Sequence, residues 1–139
     1  MITAFAPGRV NLIGDHTDHQ GGLVLPIAID RGTTVTGTEG GDRVQLRSDD
    51  EEGLVEVRVG SRPPLTLGPE WGRYVSAIVE LERPDRGFVG NVSTTLPLGA
   101  GLSSSAALEL ALALALGFEG SPLELAQLCQ RSEFLAVGV

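Results

Sequence analysis

Apolar and polar residues alternate through much of the first two thirds of the chain, and the remainder repeats at helical spacing. The alternation predicts strands at Ile2 to Ala6, Val24 to Ile29, Thr33 to Thr38, Val44 to Arg47, Leu54 to Val59 and Phe88 to Leu96. The 3.6-residue spacing predicts helices at Trp71 to Glu82, Ser103 to Leu116 and Pro122 to Leu135. Glu39-Gly40-Gly41-Asp42 and Asp49-Asp50-Glu51-Glu52-Gly53 are short turns between consecutive alternating runs, which favours antiparallel hairpins over repeated βαβ units. The expected class is α+β, with a mixed and mostly antiparallel sheet packed against helices. The acidic run Asp49 to Glu52 reads as a solvated hairpin tip, because its sequence neighbours offer no converging metal ligands. Arg62-Pro63-Pro64 and Gly68-Pro69 read as loop punctuation within one domain.

The run Ala106 to Leu116 is almost uniformly apolar, so its helix is expected to be buried on nearly all sides. It is shorter than the roughly 20 residues that a membrane span needs, and Glu109 interrupts it. Composition narrows the picture further. The chain has 139 residues, enough for one domain, and its 42% hydrophobic and 20% charged residues are those of a globular protein. A formal charge of −8 argues against nucleic acid as a partner. The single Cys129 cannot form an intrachain disulfide and falls in an amphipathic run, where a buried thiol is expected. With no basic and apolar leader after Met1, cytoplasmic residence is the expectation.

Candidate chemistry concentrates in two stretches. Pro97-Leu98-Gly99-Ala100-Gly101-Leu102-Ser103-Ser104-Ser105-Ala106-Ala107 joins a predicted strand to a predicted helix. Its glycines let backbone approach an anion. Its serines add hydroxyl donors where a helix presents unpaired amides and the positive end of its dipole. It is not a P-loop, since the chain contains no lysine and all ten of its Lys and Arg positions are Arg. Nor is it a dinucleotide fingerprint, because Ser104 stands where the third glycine belongs. A Gly turn into a Ser-capped helix, with no ligand, is the plain alternative. The second stretch gathers Arg9, Asn11, Asp15, His16, Thr17 and Asp18 in what reads as one short polar loop. Such carboxylates can each accept from two neighbouring sugar hydroxyls, while Asp-His-x-Asp-His also offers metal ligands, and a solvated turn needs neither.

The segment Gly8-Arg9-Val10-Asn11-Leu12-Ile13-Gly14-Asp15-His16-Thr17-Asp18 resembles the signature of the galactokinases, and Pro97 to Glu109 resembles the ATP-phosphate motif of the wider GHMP kinases. The resemblance runs from about Thr3 to the end of the chain and implies the N-terminal domain of that fold, over residues 1–139. It further implies ATP-dependent phosphorylation of a sugar at its anomeric hydroxyl, galactose to galactose 1-phosphate, with Mg²⁺. Other alcohols as substrate, or a non-catalytic sugar and ATP sensor on the same scaffold, are the alternatives it leaves. By resemblance Arg9 is the catalytic arginine, and Asp15, His16 and Asp18 bind the sugar. Pro97, Gly99, Ala100, Gly101, Leu102, Ser103, Ser104 and Ser105 hold the ATP phosphates, and Ser104, Ser105 and Glu133 lie at the magnesium. Three positions depart from the pattern: Asp15 replaces a Glu, His19 a Tyr, and Phe134 a His. The shorter Asp15 carboxylate changes sugar discrimination by roughly 1 to 3 kcal/mol unless something compensates. The family's catalytic Asp follows the segment that resembles Gln130 to Val139, so that base and the facing C-terminal domain are expected beyond residue 139.

Overall fold

The computed structural model describes residues 1–13, 25–60, 68–97 and 104–137. The chain runs β1 (Ile2–Ile13), β2 (Leu25–Glu39), β3 (Arg43–Ser48), β4 (Leu54–Arg58), α1 (Gly72–Glu82), β5 (Phe88–Thr94), α2 (Ser104–Ala115) and α3 (Pro122–Val137). One five-stranded sheet has the order β1-β2-β5-β3-β4. Every neighbouring pair is antiparallel except β3 and β5, which run parallel with Leu46 opposite Gly90. The α+β class, with a mixed and mostly antiparallel sheet, is therefore as expected.

Alternation places Val44 and Leu46 of β3, Val55 and Val57 of β4, Val35 of β2 and Val92 of β5 in the core. The helices cover that face: α2 lies on β1 and β2, α1 reaches β4, and α3 packs on α1 and α2. Between β2 and β5 the facing glycines Gly37 and Gly90 make room for the buried ring of Phe88, since a Cβ on Gly90 would lie 2.6 Å from it. Pro122 starts α3, and Ser121 and Glu124 cap each other: the Glu124 N–H donates to Ser121 Oγ (3.1 Å) and the Ser121 N–H to Glu124 Oε1 (3.0 Å).

Two expectations need correction. The turn at Gly40-Gly41 does not close a hairpin, because β5 inserts between β2 and β3 and each pairs with it instead. Short spacing suggested a hairpin, but β2 and β3 each pair with β5 along its two edges, and its Phe88 and Val92 are buried. The predicted strands at Val24 to Ile29 and Thr33 to Thr38 are also one continuous β2. Gly32 does not break it, since its N–H donates to Thr95 Oγ1 at 2.9 Å and its carbonyl accepts from Thr95, so the backbone stays satisfied there.

Candidate functional site

At the N-terminus of α2 three of the described site residues, Ser104, Ser105 and Glu133, come together. Ser104 is exposed and Ser105 half-buried at the first turn. Ser105 Oγ donates a hydrogen bond to the carboxylate of Glu133, which tethers the start of α2 to α3. The resemblance implies that both groups lie at one metal; the fold brings them into contact across 28 residues of chain. Pro97 is exposed at the end of the segment following β5. Gly99, Ala100, Gly101, Leu102 and Ser103 lie outside the described residues, as do Asp15, His16, Asp18 and His19.

Arg9 is described, and not in a loop. It lies on β1 opposite Ala28 of β2, exposed, between two irregularities in the pairing at Pro7/Arg9 and Asn11/Ile13. At the first irregularity β2 carries two extra residues and at the second β1 carries one, which lets the paired strands bend and continue through a stretch whose polar composition reads as a loop.

Beside the start of α2 is a cleft of about 220 Å³ that sequence reasoning missed. Its lining includes Trp71 at the N-cap of α1, Tyr74 of α1, Ser104, Ser105 and Leu108 of α2, and Asp50 and Thr94. Trp71 is 9% exposed, and its Nε1–H donates to the Glu52 carbonyl at 3.2 Å, which fixes the ring against the β3–β4 turn. Asp50 accepts from the Thr94 backbone N–H at 2.9 Å, while Ser48 Oγ accepts from the N–H groups of Asp50 and Glu51. The acidic turn is thus exposed as expected, yet anchored to β5. The spacing of Trp71 and Tyr74, three residues apart on a helix, was the available signal. It was absorbed into an amphipathic helix, because a core face has the same periodicity.

Under the Ser105–Glu133 contact lie two further groups. Glu109, 0% exposed, accepts from Ser132 Oγ–H at 2.8 Å. Burial pushes its carboxyl up to about 8; the Ser132 hydrogen bond pulls the other way, and the Glu133 charge adds to the rise. The Tyr74 phenol is raised by its own burial and then by the Glu133 and Glu109 carboxylates. Cys129 is buried as expected, and desolvation pushes its thiol up to about 12. Such a thiol stays protonated and unreactive.

The donor set suits a small hard cation. The Ser105 hydroxyl and the Glu133 carboxylate, from two helices, are hard oxygen donors of the kind that could hold a divalent cation. Among the described residues no group of three or more His, Cys, Asp or Glu forms a closed cage for a metal.

Residues 2–39 match the galactokinase galactose-binding signature, and residues 73–139 match the N-terminal domain of the GHMP kinases. The chain belongs to the galactokinase family of GHMP kinases. Within that family it is 41% identical to the galactokinase of Thermococcus kodakarensis and 40% identical to that of Bos taurus, each over 99% of this chain. The chain spans 41% and 38% of the length of those two relatives. A galactokinase from Lactococcus lactis, solved in complex with galactose, superposes with a TM-score of 0.81 at 36% identity, over 99% of this chain and 38% of that one. A mevalonate kinase superposes with a TM-score of 0.82 at 21% identity, over 99% of this chain and 48% of the other, which establishes the shared fold. For a galactokinase-family chain, the Ser105–Glu133 contact sits inside the matched GHMP domain, and Arg9 inside the matched galactose signature. Among the described residues, no helix is long and apolar enough to cross a membrane.

Proposed function

We propose that this chain supplies the N-terminal part of an ATP-dependent kinase that phosphorylates galactose at its anomeric hydroxyl, giving galactose 1-phosphate. The observation that carries the reading is the Ser105–Glu133 pair, at a helix N-terminus and beside an aromatic-walled cleft. A ring-sized cleft lined by Trp71, Tyr74 and a helix N-terminus suits a nucleotide, with the base on the aromatic rings and the phosphates toward α2. The galactose-binding signature over residues 2–39 supports the sugar.

In this reading Gly99, Ala100, Gly101, Leu102 and Ser103, with Pro97 leading in and Ser104 and Ser105 following, line the path of the phosphates. The N-terminal amides of α2 meet the anion in a preorganised direction, because α2 is held in place by its buried residues. Ser105 and Glu133, with Ser104 alongside, hold Mg²⁺. Bound there, that ion would supply neutralisation of phosphate charge. Asp15, His16 and Asp18 accept and donate hydrogen bonds to the sugar hydroxyls and so orient the anomeric oxygen. Arg9 offsets the charge that gathers between that oxygen and the transferring phosphoryl group. The proton acceptor is the family's Asp beyond residue 139, and the C-terminal half of the kinase closes the site. We assign the protein to the cytoplasm.

The test is a coupled assay for ADP release by the full-length gene product carrying residues 1–139, run with MgATP and a panel of hexoses and non-sugar alcohols. Galactose should give the highest kcat/KM. Turnover only on a non-sugar alcohol, or binding of both ligands with no turnover on any, would replace this reading with another GHMP kinase or a sensor. Asp18→Ala in the same protein should weaken galactose binding by about 1.5 to 3 kcal/mol and leave ATP affinity nearly unchanged.

A further inference from the structure

Two rungs join the same two helices, and only the upper one is used in the reaction proposed above. The upper rung is Ser105 to Glu133; the lower is Glu109 to Ser132, at 2.8 Å. Glu109 follows Ser105 by about one turn on α2, and Ser132 directly precedes Glu133 on α3, so the two contacts are neighbours along the same helix pair.

The lower rung is costly as a purely structural device. Glu109 and Ser132 are both 0% exposed, and Glu109 Oε2 is buried without a hydrogen-bond partner among the described residues. The rest of α2 is Ala and Leu after its two serines, so an apolar residue at this position would keep the helix pattern with no polar group to bury. The carboxyl also lies within reach of Glu133, whose charge acts on it.

We propose that Glu109 is a positioning residue: with Ser132 it fixes how α3 is set against α2, so that the Glu133 carboxylate meets Ser105 already oriented for a metal–nucleotide complex. This role rests on Glu133 serving that complex, as proposed above, and the two ideas fail differently. A partner of this kind, one step removed from a ligating carboxylate, commonly governs metal affinity as strongly as the ligand's own geometry does.

The test uses the full-length gene product and compares Glu109→Leu, Glu109→Gln, Ser132→Ala and Glu133→Gln. Calorimetry measures binding of Mn²⁺·ADP and of ADP with no metal, the Mn²⁺ resonance line shape is recorded, and thermal unfolding checks the fold. Glu133→Gln and Glu109→Leu should each weaken Mn²⁺·ADP by about 10-fold or more, with metal-free ADP unchanged. Glu109→Gln, which keeps an acceptor for Ser132 and the same shape, should restore binding to within about 2-fold, and Ser132→Ala should cost about 3-fold. A purely structural role would lower the melting temperature and leave the difference between metal-bound and metal-free ADP intact. If Glu133→Gln loses Mn²⁺·ADP while folded Glu109→Leu and Ser132→Ala bind it normally, the positioning role is overturned and the Glu133 assignment stands. If Glu133→Gln binds normally, the Glu133 assignment falls and the positioning role with it. Should Glu109→Leu not fold, Ser132→Ala decides: unchanged Mn²⁺·ADP binding overturns the role, and a selective loss supports it.

Discussion

Replacing Tyr74 with Ala tests whether the cleft beside α2 takes a nucleobase. Tyr74 is half-buried on α1, three residues from Trp71, and lines the same cleft as Ser104 and Ser105. Stacking a base on an aromatic ring contributes about 1 to 3 kcal/mol by alanine substitution, so the loss should weaken ATP binding by roughly 5- to 150-fold. In the proposed reading the phosphates bind at the segment leading into α2, so binding of inorganic tripolyphosphate should hardly change. Tyr74→Phe keeps the ring and should stay within about 3-fold of the parent, because it gives up no more than a single hydrogen bond. Truncation also removes packing against the core. With full burial that would cost about 3 to 5 kcal/mol, and half-burial halves it, so the variant should fold with a lowered melting temperature. Trp71 is the only tryptophan in the chain and lines the same cleft, so ATP quenching of its fluorescence reads occupancy directly. A folded Tyr74→Ala protein that binds ATP and quenches like the parent would refute the nucleobase assignment.

Further outcomes follow from burial and from the extent of the chain. Desolvation pushes the Glu82 carboxyl from its ordinary 4.5 up to about 8, and its Oε1 has no partner among the described residues. The folded state therefore keeps a proton that the unfolded chain releases. This group's contribution is full below about pH 4.5 and is lost as pH rises toward 8, by at most about 1.4 kcal/mol per pH unit. Glu82→Gln should flatten the fall in melting temperature over that range, and an unchanged pH profile would count against it. Cys129, with a thiol raised to about 12, should resist a thiol-specific reagent in the native protein and react on unfolding, which absorbance of the released chromophore would follow. A polypeptide of residues 1–139 alone should release no ADP with galactose and MgATP, since losing a general base costs roughly 10² to 10⁴ in rate and the facing half of the site is lost with it. Turnover near that of the full-length gene product would mean that the base lies within these residues.

Local patterns were good guides wherever a single interaction decides the structure. The alternation in Arg43 to Ser48 and Leu54 to Arg58 reports one buried face directly, and Ser121-Pro122-Leu123-Glu124 specifies its own helix start through reciprocal hydrogen bonds. Strand order was not readable in this way. That β5 divides β2 from β3 is settled by contacts between residues far apart in sequence, such as Val35 with Val92 and Leu46 with Gly90, and the Gly40-Gly41 turn is compatible with either arrangement.

The site divides along the same line. Motif residues announce themselves because their chemistry is unusual for their setting: serines after paired glycines, a carboxylate in an apolar helix. Ser105 and Glu133 were paired in advance only through resemblance, and the structure gives the pairing a physical basis in the packing of α2 on α3. Trp71 and Tyr74 carried no such mark, since an aromatic that lines a cleft and one that fills a core occupy the same positions on an amphipathic helix. Glu109 is the instructive middle case. From the sequence it was an interruption in an apolar run; in the fold it is a buried acid joined to the residue next to Glu133. An isolated polar group in so apolar a helix is expensive enough that its partners, rather than its solvation, must explain it. Looking for what such a residue touches therefore finds second-layer architecture that motif matching passes over.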